Sequence, residues 1–171
     1  MSAPRDGQRS RVYEAETVVR RIFDRADAGT GRELELFGSR ITLPVERKFA
    51  SVESVQDYLD RVRALNWVRA DWPRAAEPVT VRARAGATAA HYEPATATVA
   101  VPLHRRGSSW ALRELVVLHE LAHHLEPDDT ELAPHGPEFV GRYLDLVDGI
   151  LGGEAAFVLR TTLLENGVTV A

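Results

Sequence analysis

The stretch from Trp110 to Leu125 constrains the fold most, because apolar residues occupy almost every face of the helix that it predicts. These apolar residues are Trp110, Leu112, Leu115, Val116, Val117, Leu118, Leu121, Ala122 and Leu125. A helix that is hydrophobic on all sides is normally buried in a core. We therefore predict a buried helix around which the rest of the chain packs, with Ser108 or Ser109 as its N-cap.

The same stretch carries the motif His119-Glu120-Leu121-Ala122-His123. Residues four apart lie on one face of a helix, so His119 and His123 can direct their imidazoles at a single ion. Imidazole nitrogens are zinc ligands, and Glu120 beside them can accept a proton from water as a general base. The alternative is a core helix whose histidines are hydrogen-bonded to their neighbours. Burying these polar side chains without a charged partner is costly, which favours the metal site.

A catalytic zinc site needs a third protein ligand, and we predict that it is His135. This residue follows His123 by 12 positions, after an acidic connection that contains proline at both ends. Gly136 suits a tight turn and Pro137 suits the first position of a helix, so His135 can point back towards the first helix. Glu138 is the alternative third ligand, because some zinc peptidases use a Glu from a second helix.

The combination of HELAHH, a short connection and HGPEF resembles the zincin peptidases of the SprT/Spartan type. Their signature is HExxH followed by His-Gly-x-x-Phe, and the resemblance covers the chain from about Trp110 to Tyr143. The chain length and the LHELAHHL core also resemble a group of short actinobacterial proteins classed only as metallohydrolases. The resemblance implies the same assignments as the spacing: zinc ligands His119, His123 and His135, and general base Glu120.

One departure limits what the resemblance implies. The chain has no Cys, so it lacks the cysteine zinc ribbon that accompanies SprT-type proteins, and DNA-linked proteolysis is not expected. A net charge of -4 also argues against nucleic acid as a partner. The metzincin pattern is excluded, because Glu126 and Asp129 occupy the positions of its Gly and third His.

Length and composition predict one domain. The chain has 171 residues and 44% hydrophobic content, which suits a single core from residue 11 to residue 171 after a flexible tail at residues 1–10. The absence of Cys fits the reducing cytoplasm, where we expect the protein. No apolar run approaches membrane-spanning length, so we expect no membrane association.

Hydrophobic periodicity predicts an α+β fold: a zincin-like domain with a small twisted mixed sheet beside the helix that carries HExxH. In chain order we predict a helix ending near Gly29, a hairpin turning at Gly38-Ser39, a helix capped by Ser51, a loop from Asn66 to Pro78, strands from Val79 to Ala83, from 87 to Tyr92 and from Thr96 to Val101, and helices beginning near Phe139 and Glu154.

The strand from Thr96 to Val101 is predicted at the edge of the sheet, because Pro102 at its end suits an edge position. In zincins a sheet edge beside the metal binds an extended peptide. By resemblance, Thr98 and Val99 would therefore contact the substrate. The alternative is an ordinary edge strand without a binding role.

Other polar side chains are weaker candidates for the site. Tyr143 either stabilises an oxyanion or packs as an aromatic residue. His124 lies about 100° around the helix from His123, so we expect it beside the ligands or at the surface. His91 and Tyr92 can approach the cleft from the sheet. An acidic rim that favours cationic substrates, or simply a solvated loop, is formed by Glu126, Asp128, Asp129 and Glu131.

Together these patterns predict a zinc-dependent hydrolase with one zinc ion per chain, and specifically a metallopeptidase acting on a peptide or protein substrate. The alternative is a non-catalytic domain that the metal stabilises and that binds a partner along its edge strand. Glu120 favours the enzyme, because a structural metal site does not need a base.

Overall fold

A computed structural model describes residues 4–29, 31–86, 89–102 and 112–171 of the protein. The predicted α+β class is confirmed, with six α-helices and two small sheets in the described residues. The chain divides into two compact units. The first combines Met1–Glu46 with Glu131–Ala171, and the second is Arg47–Thr130. Within the described ranges, no helix is both long and apolar enough to cross a membrane.

The elements in chain order are α1 (Arg9–Ala28), β1 (Glu33–Leu36), β2 (Ser39–Thr42), α2 (Val52–Ala64), α3 (Asn66–Asp71), a 3-10 turn (Pro73–Ala76), β3 (Thr80–Ala83), β4 (His91–Glu93), a second 3-10 turn (Pro94–Thr96), β5 (Thr98–Val101), α4 (Glu114–His124), α5 (Pro137–Leu151) and α6 (Gly153–Glu165).

In the first unit, α6 packs against both α1 and α5. The helix α1 buries the apolar face that its periodicity predicts, including Val12, Val19 and Phe23. Residues 9 and 10 already belong to α1, and the Gln8 side chain bonds both the N–H and the carbonyl of Thr169. The helix α1 therefore begins inside the segment at residues 1–10 for which a flexible tail was expected.

The predicted hairpin is confirmed as an antiparallel pair of β1 and β2, but its turn lies one residue earlier than expected. Phe37 and Gly38 occupy the two central positions, with φ of +49° and +78°. Left-handed backbone at both positions is the turn geometry that matches the twist of a two-residue hairpin.

In the second unit, α2 begins at the predicted Ser51 cap. The Ser51 side chain accepts from the Ser54 N–H, and Val55, Tyr58 and Leu59 are buried. The loop predicted from Asn66 to Pro78 is wrong, because the short helix α3 and a 3-10 turn occupy most of it. A helix of six residues completes fewer than two turns, so it shows no clear periodicity in the sequence.

The strand β5 is central, so the edge-strand prediction is wrong. The sheet order is β3-β5-β4, with β5 parallel to β3 and antiparallel to β4. Val99 pairs with Val81 on one side and Tyr92 on the other, and all four β5 residues are buried. Thr98 and Val99 are therefore not an open cradle for a peptide. Pro102 follows the last ladder residue of β5 and so removes no hydrogen bond from the ladder.

The predicted central helix exists as α4, and nearly all its residues are buried. It begins at Glu114 with extended backbone at Arg113, so neither Ser108 nor Ser109 caps it; both serines and Trp110 lie outside the described residues. The helix start is instead held by backbone pairing. The Phe49 N–H donates to the Leu112 carbonyl at 2.8 Å, and the Glu114 N–H donates to the Arg47 carbonyl at 3.0 Å.

Candidate metal centre

Two imidazoles meet on one face of α4, as the four-residue spacing predicts. The Nε2 atoms of His119 and His123 are 3.3 Å apart, and the two ring planes are inclined at 66°. Four ligands at roughly 2.0–2.1 Å around a tetrahedral zinc are separated by about 3.3–3.4 Å. The spacing of this pair therefore fits two ligands of one zinc ion.

His135 lies in the turn that leads into α5. The Gly136 N–H donates to the Ala133 carbonyl at 2.9 Å, and Pro137 opens the helix as predicted. Gly136 has φ of -71°, which any residue can adopt, so glycine is not needed here for left-handed backbone. It is needed because there is little room for a side chain. A Cβ at this position would stand 3.2 Å from the Ala133 oxygen and 3.3 Å from the Ala133 Cβ. The missing side chain lets the turn close tightly beside His135.

Asp6 holds His135 through two hydrogen bonds that sequence reasoning missed. Its Oδ2 lies 2.8 Å from His135 Nδ1, and its Oδ1 accepts from the His135 backbone N–H at 3.1 Å. Tyr13 and Phe139 flank the imidazole, with ring centroids at 5.2 and 5.1 Å. A neutral imidazole that donates from Nδ1 carries its lone pair on Nε2, so in that tautomer Nε2 would be the metal-binding atom of His135.

These three histidines form one group. Ligand atoms of His119, His123 and His135 all lie within 4.8 Å of one another, so the group can hold a metal ion. His119 and His135 are buried and His123 is half-buried. Neutral nitrogen ligands suit zinc and several other transition metals, and tetrahedral geometry with an open position is the arrangement of catalytic zinc. The residues present therefore fit the predicted cofactor class.

Glu120 is buried on α4 beside the histidine pair, with 5% of its surface exposed. A carboxylate at this depth is costly unless positive charge or hydrogen bonds compensate for its lost hydration. A cation held by His119 and His123 would contribute such compensation. The position suits the general base that the sequence predicts.

His124 does not belong to the metal group, and its surface alternative is wrong. The ring is fully buried, with Nδ1 3.0 Å from the Tyr92 hydroxyl and Nε2 3.1 Å from the Glu77 carbonyl. Burial lowers the pKa of His124, so the ring is neutral near pH 7. The carbonyl can only accept, so Nε2 carries the proton and the Tyr92 hydroxyl donates to Nδ1.

Tyr92 gains a larger role than sequence alone suggests. Its ring lies nearly parallel to that of His123, at 7° with centroids 6.4 Å apart, while its hydroxyl bonds His124. Burial is the main cause that raises the pKa of Tyr92, so its hydroxyl stays protonated. Its inward position follows from strand alternation, which buries Tyr92 and exposes His91.

Two other candidates do not join the metal group. Glu138 is exposed and is absent from the group of ligand atoms, so His135 is the third ligand that the geometry favours. Tyr143 is fully buried, and its hydroxyl bonds Glu16. Burial first, and then the carboxylates of Glu16 and Glu46, raise the pKa of Tyr143 well above its ordinary value. These contacts match the alternative of a packed aromatic residue.

The acidic rim is partly neutralised in the second unit. Arg74 forms ion pairs with Asp128 and Glu77, and its Nε donates to the His124 carbonyl at 2.8 Å. A cavity of about 350 Å³ is lined there by Pro73, Arg74, Glu77, Leu125, Pro127, Asp128 and Asp129. The guanidinium therefore ties the end of α4 to the loop that follows it.

No protein-family model, curated protein or solved structure matches the chain. The assignment of the site therefore depends on the residues and geometry of this chain.

Proposed function

We propose that the chain is a zinc-dependent hydrolase, a metallopeptidase that cleaves peptide or related amide bonds. One observation carries the proposal: His119, His123 and His135 group at ligand distances, and two of them share a helix with the buried carboxylate of Glu120. Three protein ligands leave a position for water or substrate, whereas structural zinc sites are normally closed by four. The resemblance of HELAHH and HGPEF to the SprT/Spartan-type zincins supports the same reaction.

In this proposal the three histidines hold one zinc ion per chain. Zinc, when bound, supplies Lewis-acid polarisation of a carbonyl and acidifies water. Glu120 accepts the proton of the attacking water and returns it to the leaving nitrogen as the amide C–N bond breaks. The expected substrate is a peptide or protein.

The alternative function, a metal-stabilised domain that binds a partner along an edge strand, loses its predicted surface. The predicted surface was the edge of the strand β5, and β5 is paired on both sides. A purely structural metal site also gives no role to Glu120.

Metal content tests the ligands first. Protein purified without chelator should carry close to one zinc per chain by elemental analysis. His119→Ala, His123→Ala and His135→Ala should each lose the metal. The matched control is Glu138→Ala, which removes an exposed carboxylate three residues after His135 and should keep it. A wild-type protein that binds no divalent metal would overturn the proposal.

Activity tests the base. Glu120→Gln should keep its zinc and its fold but lose at least ~100-fold in the hydrolysis of fluorogenic peptide libraries, the scale of a general base. Glu138→Gln is the control for a neutralised carboxylate outside the metal group. Full activity in zinc-loaded Glu120→Gln would remove this residue from the mechanism.

A further inference from the structure

The carboxylate of Asp6 contacts His135 through both of its oxygens. One oxygen accepts from the backbone N–H and the other lies 2.8 Å from Nδ1, so both the peptide plane and the ring plane of His135 are fixed by one side chain. The His135 side chain is 6% exposed and that of Asp6 is 22% exposed. At this depth water competes weakly for the carboxylate, so both hydrogen bonds keep most of their strength.

The segment that carries Asp6 is itself anchored. The Gly7 N–H donates to the Arg5 carbonyl at 2.9 Å. Gln8 exchanges two hydrogen bonds with the backbone of Thr169, and Arg11 donates to the Gly167 carbonyl. Asp6 therefore stands on backbone that is tied down on its C-terminal side, and a fixed position is what a residue needs in order to orient another.

We propose that Asp6 is the positioning residue of the third metal ligand. By accepting from Nδ1, it selects the tautomer of His135 whose lone pair is on Nε2, and it makes that nitrogen a stronger donor to the metal. The inference depends on the proposed metal centre. It adds a residue that lies 129 positions from the ligand it serves.

The first experiment compares zinc affinities, measured by competition with a chromophoric chelator. Asp6→Asn and Asp6→Ala should weaken zinc binding by about 10–100-fold, the usual cost of losing the partner of a ligating His. In both variants, Co²⁺ substitution should show an altered ligand-field spectrum. The matched control is Gln8→Ala, which removes a neighbouring anchor but leaves the carboxylate, and it should weaken zinc binding much less than either Asp6 variant does.

The outcomes separate this inference from the proposed function. Wild-type zinc affinity and an unchanged Co²⁺ spectrum in Asp6→Asn would overturn the role of Asp6 while leaving the metal centre standing. An equal loss of affinity in Gln8→Ala would also overturn it, because loosening of the segment would then be the cause. If the wild type binds no metal, the proposed function itself fails.

A second measurement needs no variant. Long-range ¹H–¹⁵N spectra of metal-free wild-type protein above pH 7 report which nitrogen of each histidine carries the proton. The proposal requires the Nδ1–H tautomer for His135. An Nε2–H tautomer there would overturn the proposal even if the Asp6 variants fail to fold.

Discussion

Replacing Tyr58 with Phe tests how the metal-bearing helix is held at its start. The Tyr58 hydroxyl donates to Glu114 Oε1 at 2.7 Å, and the Arg47 N–H donates to Oε2 at 2.9 Å. Glu114 is the first residue of α4 and is 2% exposed. Tyr58→Phe keeps the ring beside Phe49, at 5.0 Å between centroids, and removes only the hydroxyl.

The expected cost follows from the acceptor. A hydrogen bond to a charged group contributes about 1.5–3 kcal/mol, and the carboxylate keeps its bond from the Arg47 N–H. We expect the free energy of unfolding to fall by about 2 kcal/mol. For a chain of 171 residues this corresponds to a decrease in Tm of about 4–8 °C.

Urea unfolding followed by tryptophan fluorescence measures this loss in the unit that contains Tyr58. All three Trp residues of the chain lie within 47–130, so the signal reports that unit. Chelator-treated protein should be used, because bound metal would add its own stabilisation. The double variant with Glu114→Gln should show a coupling energy of about 1 kcal/mol or more. A loss below about 0.5 kcal/mol in Tyr58→Phe would refute the reasoning.

Two further predictions concern the sheet and the first unit. Val99→Pro should abolish cooperative unfolding, because β5 is paired on both sides and proline cannot donate a ladder hydrogen bond. Val99→Ala should still unfold cooperatively, and a folded Val99→Pro in circular dichroism would contradict the central placement. Burial raises the folded-state pKa of Tyr143 above its ordinary 10.0, so the stability it contributes is present below pH 10 and is lost as the pH rises above it. The urea midpoint, followed by circular dichroism, should therefore decrease as the pH is raised above 10, and it should decrease less steeply in Tyr143→Phe. An equal decrease with pH in both proteins would argue against Tyr143 as the cause.

Local patterns predicted the helices that bury one face and the residues that cap or end them. The Ser51 cap of α2, the proline at the start of α5 and the four-residue spacing of His119 and His123 all depend on neighbours within a few positions. Such features are determined by residues that are close together in the sequence. That is why they could be predicted from one chain.

Long-range pairing could not be predicted in the same way. Nothing in the residues of β5 states that β3 and β4 lie on its two sides, and Pro102 after a strand is compatible with a central strand as well as an edge. Asp6 has no periodic or motif relation to His135, from which 129 positions separate it. The grouping of the three histidines was predictable because their spacing in the sequence is short, but the contact between Asp6 and His135 was not.

The first unit is built from two separate stretches of the chain, and this affects the order in which the two units fold. Arg47–Thr130 is one uninterrupted stretch of chain, whereas the first unit needs residues from both sides of that stretch. Bringing Asp6 to His135 closes a loop of 129 residues, which costs about 4 kcal/mol of chain entropy before any contact repays it. We therefore expect the continuous unit, with His119 and His123 on α4, to gain protection first in pulsed hydrogen exchange, and the amide of His135 to be protected late. During refolding, His119 and His123 would then be in place before His135. Zinc added at that stage would bind a site that lacks its third proposed ligand and is therefore weaker.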